Sequence, residues 1–236
     1  FELVSQALDA DSSTLIGCEP TDVVDDDCAG QVISEFGLKA WRRPLEDDEL
    51  SRLVSLSATA AQTLEDFELG LVYGLSAILQ SPYFLFRVEL GEDDAEGGRR
   101  RFSNHELASR MSFLLWNTTP DAALLAAADA GALISDEGLQ SQVDRMMADP
   151  RFEDGVRAFF TDMWALYELD DLTKDPTVFT HMSPEVGPSA REETLLGVVD
   201  NVVHSDGDYR EMFTTQRTFL NRKLASIYGV RAPERE

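Results

Sequence analysis

Residues 64–80, LEDFELGLVYGLSAILQ, decide the fold class. The large apolar side chains of this stretch recur at intervals of three and four residues, which is the spacing of one face of an α-helix. These side chains are Phe67, Leu71, Leu75, Ile78 and Leu79. Ser81-Pro82 follows directly, and proline cannot continue a helix. The stretch is therefore predicted to be a long, buried helix.

The same periodicity extends over most of the chain. Further helices are predicted at 28–41, from Pro44 through Leu56, and at 107–116, 120–131, 136–148, 149–169, 189–204 and 217–228. Ser103 and Glu106 form a capping-box pattern in front of one of them. Residues 83–90 are compatible with a strand or a helix, and loose alternation near Phe1 is typical of a strand. The sequence thus predicts an all-α protein of about nine helices in two packed helical subdomains.

A glycine-rich acidic stretch divides the two predicted subdomains. Residues 91–98 read GEDDAEGG, a composition typical of a linker. We therefore predict a short irregular segment with a disulfide loop at 1–29, a first helical subdomain at 30–90, a linker at 91–102 and a second helical subdomain at 103–236. From its first and last residues we expect the chain to be part of a longer protein.

The charge of the chain excludes two classes of partner. Its 236 residues hold 44 acidic and 20 basic side chains, a formal net charge of −24. Nucleic acids and anionic membranes select basic surfaces, so general affinity for either is not expected. The sequence has no apolar run of roughly 18 residues that would span a bilayer. Its 43% hydrophobic residues are enough to bury a sizeable core.

The two cysteines set an expectation about the compartment. Cys18 and Cys28 flank a polar loop that includes Pro20 and the run Asp25–Asp27. Such a short loop can be closed by a disulfide, which contributes about 2–3 kcal/mol through chain entropy. We favour this disulfide, and with it an extracytoplasmic location, over two free thiols in the cytosol.

Arg110 is predicted to have a structural role. It lies three residues after Leu107, on or beside the apolar stripe of its helix. A buried cation needs a partner, because an unpaired buried charge costs several kcal/mol. Asp121, Glu192 and Glu193 are the candidate partners. An arginine that ties two helices together is favoured over one that binds an anion.

The helix at 189–204 carries a candidate metal site. Glu193, Asp200 and His204 share one helix face, and carboxylate and imidazole groups one turn apart can hold a metal ion. No second Glu-x-x-His helix is present to complete a two-metal site. A solvated polar face is therefore the favoured alternative.

Other candidate ligands are isolated in the sequence. His181 and Met182 lie in a proline-rich loop and are axial-ligand candidates for a haem held by another module. The acidic runs Asp25–Asp27 and Glu92–Glu96 are candidates for weak calcium binding, although neither matches an EF-hand loop. Nucleophile-elbow, phosphate-loop and dinucleotide-binding patterns are absent. Catalytic and cofactor-binding residues therefore stay unassigned.

Several stretches together resemble one known family. They are Cys18 with Cys28-Ala29, FGLKAWRRP at 36–44, LQSPYFLFRVE at 79–89, LASRMSFLLW at 107–116, Pro120-Asp121, Asp149-Pro150-Arg151, Glu193-Thr194, TFLN at 218–221, Leu224-Ala225 and Tyr228-Gly229. Their order and spacing are similar to the large secreted planctomycete-type cytochrome-associated proteins, also common in myxobacteria, which are built from serial domains of unknown function. The resemblance covers residues 18–230 and two such domains, split near the predicted linker.

The resemblance implies export, and it supports the Cys18–Cys28 disulfide. In such proteins a downstream domain typically carries a Cys-x-x-Cys-His motif for covalent c-type haem. This sequence contains no such motif, so no haem-ligating residue is carried over. Any c-type haem is expected on an adjacent domain or chain.

Two functions fit these observations. The first is a helical module of a larger exported haem protein that supports electron transfer or oxidation of an extracytoplasmic substrate. Its partners would be other domains or chains of the same protein, including haem-bearing ones. The second is a non-catalytic binding or scaffold module of a secreted or surface protein. An independent hydrolase or metalloenzyme on the Glu193/Asp200/His204 face is the least favoured.

Overall fold

The computed structural model describes residues 1–93, 98–175, 177–205 and 207–232, and these residues form an all-α protein. The predicted fold class is confirmed. Within the described ranges the only strands are β1 (Glu92–Asp93) and β2 (Arg100–Arg101), which pair antiparallel. Residues 94–97, in the predicted linker and the second acidic run, lie outside the described residues.

The chain divides into two compact units. The first contains residues 1–112 and 119–142, and the second contains residues 113–118 and 143–236. The helices α6 (Asn104–Trp116) and α8 (Asp136–Met147) contribute residues to both. The segment boundaries expected from the sequence stay a prediction.

The first unit is built on helices whose starts are set by side-chain caps. Its other helices are α1 (Glu2–Ile16), α2 (Asp26–Trp41), α3 (Asp47–Leu64), α4 (Phe67–Gln80), α5 (Pro82–Leu85), α7 (Ala122–Asp129) and a 3-10 helix at Ala132–Ile134. Glu46 and Glu49 form a capping box, so α3 begins after Glu46 rather than at Pro44. Asp66 accepts from the N–H of Leu69 and starts α4. These caps explain why the predicted boundaries shift by a few residues.

The strand alternative near Phe1 is wrong, because residues 2–16 form helix α1. Val4 and Leu8, four residues apart, are buried on one face of that helix, and α1 packs against α4. Leu3, which suggested alternation, is exposed. The irregular part of the predicted N-terminal segment is therefore limited to the residues between α1 and α2.

The predicted disulfide joins that irregular stretch to the first turn of α2. Cys18 and Cys28 are bonded, which confirms the predicted pairing. No helix among the described residues is both long and apolar enough to cross a membrane.

Helix α4 lies at the centre of the first unit's core, packed against α2 and α3. The fully enclosed side chains include Ile33, Leu71 and Ile78. At Gly70 the helices α3 and α4 approach so closely that an added Cβ would lie 2.5 Å from the Cβ of Ala61. Residues 67–80 of the apolar stretch thus form a core helix, as the periodicity indicates, whereas Leu64 is the last residue of α3.

The second unit packs its helices around α10. It contains α9 (Arg151–Met163), a 3-10 helix at Leu166–Asp171, α10 (Val186–Val199), a π-helical segment at Asp200–His204, a 3-10 helix at Tyr209–Phe213 and α11 (Arg222–Tyr228). Its core includes Val156, Phe160, Leu195 and Val198. The helix predicted at 149–169 breaks in two, because Ala165 has a left-handed backbone conformation with φ of 50°.

Candidate functional site

Arg42 links two of the stretches that carry the family resemblance, residues 36–44 and 79–89, within the first unit. Its guanidinium donates to the backbone oxygens of Ala40 at 2.9 Å, Tyr83 at 2.6 Å and Phe86 at 3.0 Å. Arg42 is only 5% exposed, and burial lowers the pKa of its guanidinium. Charge-assisted hydrogen bonds offset part of the cost of that burial. The hydrogen bonds from Arg42 to Tyr83 and Phe86 fix the backbone of residues 82–86, which we call the α5 turn.

Arg43 supports the same region with a second set of contacts. Its guanidinium makes two 2.8 Å hydrogen bonds to the carboxylate of Glu49. It also lies 4.5 Å from the ring centre of Tyr83 and 5.3 Å from that of Trp41. The hydrogen bonds from Arg43 lower the pKa of Glu49 below its ordinary value. Planar stacking combined with a two-pronged ion pair requires arginine rather than lysine.

The α5 turn that these arginines hold exposes apolar side chains. Phe84 is 39% exposed, Leu85 60% and Phe86 66%. Buried polar contacts therefore order a turn whose own side chains contribute little to the core. Exposed apolar side chains that form a contiguous patch mark interaction sites. The α5 turn is the candidate functional site of the first unit.

Sequence reasoning missed this site, since it treated Trp41-Arg42-Arg43-Pro44 only as a helix break. The signal that points to it is a pair of arginines directly after a helix, together with a dense aromatic run elsewhere in the chain. Carbonyl oxygens at a helix end attract cations. The sequence does not reveal that the aromatic run supplies the other acceptors.

Arg110, predicted to be a buried tie between helices, lies near the surface of the first unit. Its side chain is 49% exposed and donates to Glu89 at 2.7 Å. It also stacks 4.5 Å from the ring centre of Phe102. The structure thus pairs Arg110 with Glu89 in place of the expected partners, because periodicity does not reveal contacts with a residue so distant in sequence. One of those candidates, Asp121, caps α7 by accepting from the N–H of Leu124 at 2.9 Å.

The capping box predicted at Ser103 and Glu106 is present and does more than cap α6. The N–H of Ser103 donates to the Glu106 carboxylate at 2.7 Å, and the N–H of Glu106 donates to Ser103 Oγ at 3.2 Å. The same carboxylate accepts from the N–H groups of Leu90 and Gly91 at 2.6 and 2.8 Å. Partial burial acts against ionisation, but these N–H donors prevail and lower the pKa of Glu106.

Asp25, in the first acidic run, has a capping role. Its carboxylate accepts from the N–H of Cys28 at 2.9 Å and from the N–H and hydroxyl of Thr21, both at 2.9 Å. These bonds lower the pKa of Asp25, the one from Cys28 most. The carboxylate thereby fixes the loop that the disulfide closes. Calcium binding by this run stays a prediction.

Glu193, the first of the predicted metal ligands, is bonded to hydroxyl groups of the second unit. The phenol of Tyr228 lies 3.1 Å from both of its carboxylate oxygens, and the hydroxyl of Thr218 also donates to it. Partial burial, followed by the hydrogen bond and charge of Glu193, raises the pKa of Tyr228. This contact joins α10 to the C-terminal part of the unit.

The other two predicted metal ligands lie in the π-helical segment. Asp200 pairs with Arg217, and His204 is exposed at the end of the segment. In the part of the chain that the structure describes, no group of three or more His, Cys, Asp or Glu side chains is arranged to hold a metal. The structure therefore does not bring Glu193, Asp200 and His204 together.

The proline-rich loop with the axial-ligand candidates His181 and Met182 borders a cavity of about 330 Å³ in the second unit. His181 is exposed, whereas Met182 is partly buried and lines the cavity with Leu172, Lys174 and Ser183. An exposed imidazole is accessible to another module, but nothing in the cavity assigns it a ligand role.

The fold and the contacts above define an all-α protein that divides into two compact helical units. The chain belongs to a family described as PSD4, protein of unknown function (DUF1592), which matches residues 102–230. Residues 28–89 match a second family, described as PSD5, protein of unknown function (DUF1595). No curated protein and no solved structure matches the chain. The serial domains of unknown function implied by the resemblance are thus confirmed, as expected of a module of a larger protein.

Proposed function

We propose that this chain is a non-catalytic helical module of a larger exported protein, and that its α5 turn docks against another domain of that protein. The observation that carries the proposal is the buried Arg42, whose guanidinium donates to the carbonyls of Tyr83 and Phe86. A turn ordered in advance loses less conformational entropy when a partner covers it.

The size of the exposed patch favours a partner in the same polypeptide. Three side chains are too few for the roughly 1,000 Å² that a stable interface between separate proteins buries. A second domain on the same chain is present at a high effective concentration, so a smaller surface is enough. The matches to two successive families support such a multidomain arrangement.

Export is supported by the Cys18–Cys28 disulfide, because disulfides persist in oxidising compartments and are rare in the cytosol. The strongly acidic composition keeps an exported module hydrated and dispersed.

Site-specific photo-crosslinking in the full-length protein tests the docking proposal. A photoreactive phenylalanine analogue at Phe86 is expected to crosslink to another domain of the same full-length protein, outside residues 1–236. Mass spectrometry identifies the crosslinked residue. The matched control is the same analogue at Phe179, an exposed phenylalanine of the second unit. Crosslinks from both positions to the same segments, or none from Phe86, would contradict the proposal.

A second candidate is that the larger protein carries c-type haem on a neighbouring domain and works in electron transfer or substrate oxidation. It rests on the resemblance, whose motif order agrees with the two family matches. The test is an intact mass and an absorption spectrum of the protein from its native source. A Soret band on a species well above 26.2 kDa supports the candidate, and a colourless protein of any mass rejects it.

A further inference from the structure

The second unit carries a row of aromatic rings that begins in its core and extends to its surface. Phe160, in the core, has its ring centre 4.8 Å from that of Trp164 and 6.4 Å from that of Tyr209. Phe213 extends the row, at 5.5 Å from Tyr209 and 6.3 Å from Trp164. Tyr209 is 48% exposed and Phe213 65%. We call Trp164, Tyr209 and Phe213 the aromatic platform.

A polar cleft shares one structural element with the aromatic platform. The 3-10 helix at Tyr209–Phe213 contributes its first and last residues to the platform and Glu211 to the cleft. The other polar residues that line the cleft are Asp200, Asn201, Ser205, Thr215 and Arg217. One wall of the cleft is the π-helical segment. Such turns are rare in proteins, and those that occur are often found at functional sites.

The charges of the cleft disfavour an anionic ligand. Arg217 is paired with Asp200, so the guanidinium is already neutralised. Glu211 adds an exposed carboxylate, and the chain as a whole carries a net charge of −24. A nucleic acid would also stack on exposed rings, but its phosphates would be repelled here.

We infer that the aromatic platform and the polar cleft bind an uncharged polysaccharide. A sugar ring has a face of C–H groups that packs on an aromatic ring, and its hydroxyls both donate and accept hydrogen bonds. Glu211 accepts such bonds, and Ser205 and Thr215 can donate as well as accept. Adjacent exposed rings beside mixed hydrogen-bond donors and acceptors therefore fit a polysaccharide better than they fit a purely apolar partner.

Affinity electrophoresis of the chain tests the inference. Gels containing hydroxyethylcellulose, xyloglucan or galactomannan are compared with a gel containing alginate, an anionic polysaccharide. We expect at least one neutral polysaccharide to retard the chain and alginate to have no effect. Phe213→Ala is expected to weaken the retardation about tenfold, which corresponds to one lost ring contact.

The control variant is Phe179→Ala, since Phe179 is 51% exposed in the same unit and lines neither the platform nor the cleft. It is expected to migrate like the wild type, and circular dichroism checks that both variants are folded. The inference is overturned if no neutral polysaccharide retards the chain, if alginate retards it equally, or if folded Phe213→Ala behaves like the wild type. These outcomes are independent of the docking proposal, because the α5 turn belongs to the other unit.

Discussion

Charged side chains contact both the α5 turn and helix α10, but the two regions differ in how deeply those charges are buried. At the α5 turn, Arg42 is 5% exposed and bonded to backbone carbonyls. Around α10, Arg157 pairs with Glu192 and Arg217 with Asp200, and the Arg217 side chain is 72% exposed. The first arrangement specifies a backbone conformation, whereas the second joins elements that the core already holds.

The difference determines how each region responds to substitution. Removing a buried charge leaves unsatisfied acceptors behind, whereas water replaces the partner of an exposed charge. The first region is therefore expected to lose structure when one side chain changes. The second region is expected to tolerate the loss of single pairs.

The largest expected effect follows from Arg42→Ala. It leaves the carbonyl oxygens of Ala40, Tyr83 and Phe86 without their charged donor. Because each buried acceptor left unsatisfied costs roughly 1–3 kcal/mol, the free energy of unfolding is expected to fall by about 3–5 kcal/mol. Urea unfolding, with hydrogen exchange resolved by peptide, is expected to show the loss in the first unit.

The matched control for this variant is Arg52→Ala, which removes an exposed guanidinium paired with Asp48. A change below about 0.5 kcal/mol is expected there. If the two variants unfold at the same urea concentration, burial of Arg42 is not what orders the α5 turn.

Loss of the disulfide is the next largest effect. The double variant Cys18→Ser/Cys28→Ser is expected to lose about 2–3 kcal/mol, because the unfolded chain regains the freedom of a short loop. Thermal unfolding with and without reductant measures it. Reductant is expected to lower the unfolding temperature of the wild type and to leave that of the double variant unchanged. An equal response of both proteins would contradict the assignment.

Glu49→Gln gives a smaller effect that depends on pH. The pKa of Glu49 is lowered on folding, so its contribution is complete above its ordinary pKa of 4.5 and is lost as the pH falls through the lowered value. We expect the variant to be about 1–2 kcal/mol less stable at neutral pH and the difference to shrink below pH 4.5. Urea unfolding as a function of pH measures this difference in stability. A difference that grows as the pH falls would contradict the prediction.

The smallest effect is expected in the second unit. Arg217→Ala removes an exposed partner of Asp200, so we expect less than about 1 kcal/mol, reduced further by salt. Unfolding at two ionic strengths measures it. A loss comparable to that of Arg42→Ala would show that exposed pairs around α10 specify structure as strongly as the buried arginine.

Local patterns predicted those features whose cause is local. The helix predicted at 64–80 and observed at 67–80, and the capping box at Ser103 and Glu106, follow from spacing, and the short polar loop between the cysteines favoured the disulfide. Each depends on residues close together in sequence, so the chain fixes their geometry before any tertiary contact forms. The strand expected near Phe1 failed because burial of Val4 and Leu8 against α4 decides that segment.

The sequence by itself determined that this protein is all-α and acidic, since composition and periodicity are properties of the chain, and it favoured the disulfide that the structure contains. Only the tertiary structure decided which arginine is buried, where Arg110 finds its partner, and that the predicted metal ligands do not converge. It also decided that the α5 turn and the aromatic platform are exposed. Such features depend on contacts between residues far apart in sequence, and no local spacing encodes which carbonyl, carboxylate or ring folding will bring within reach.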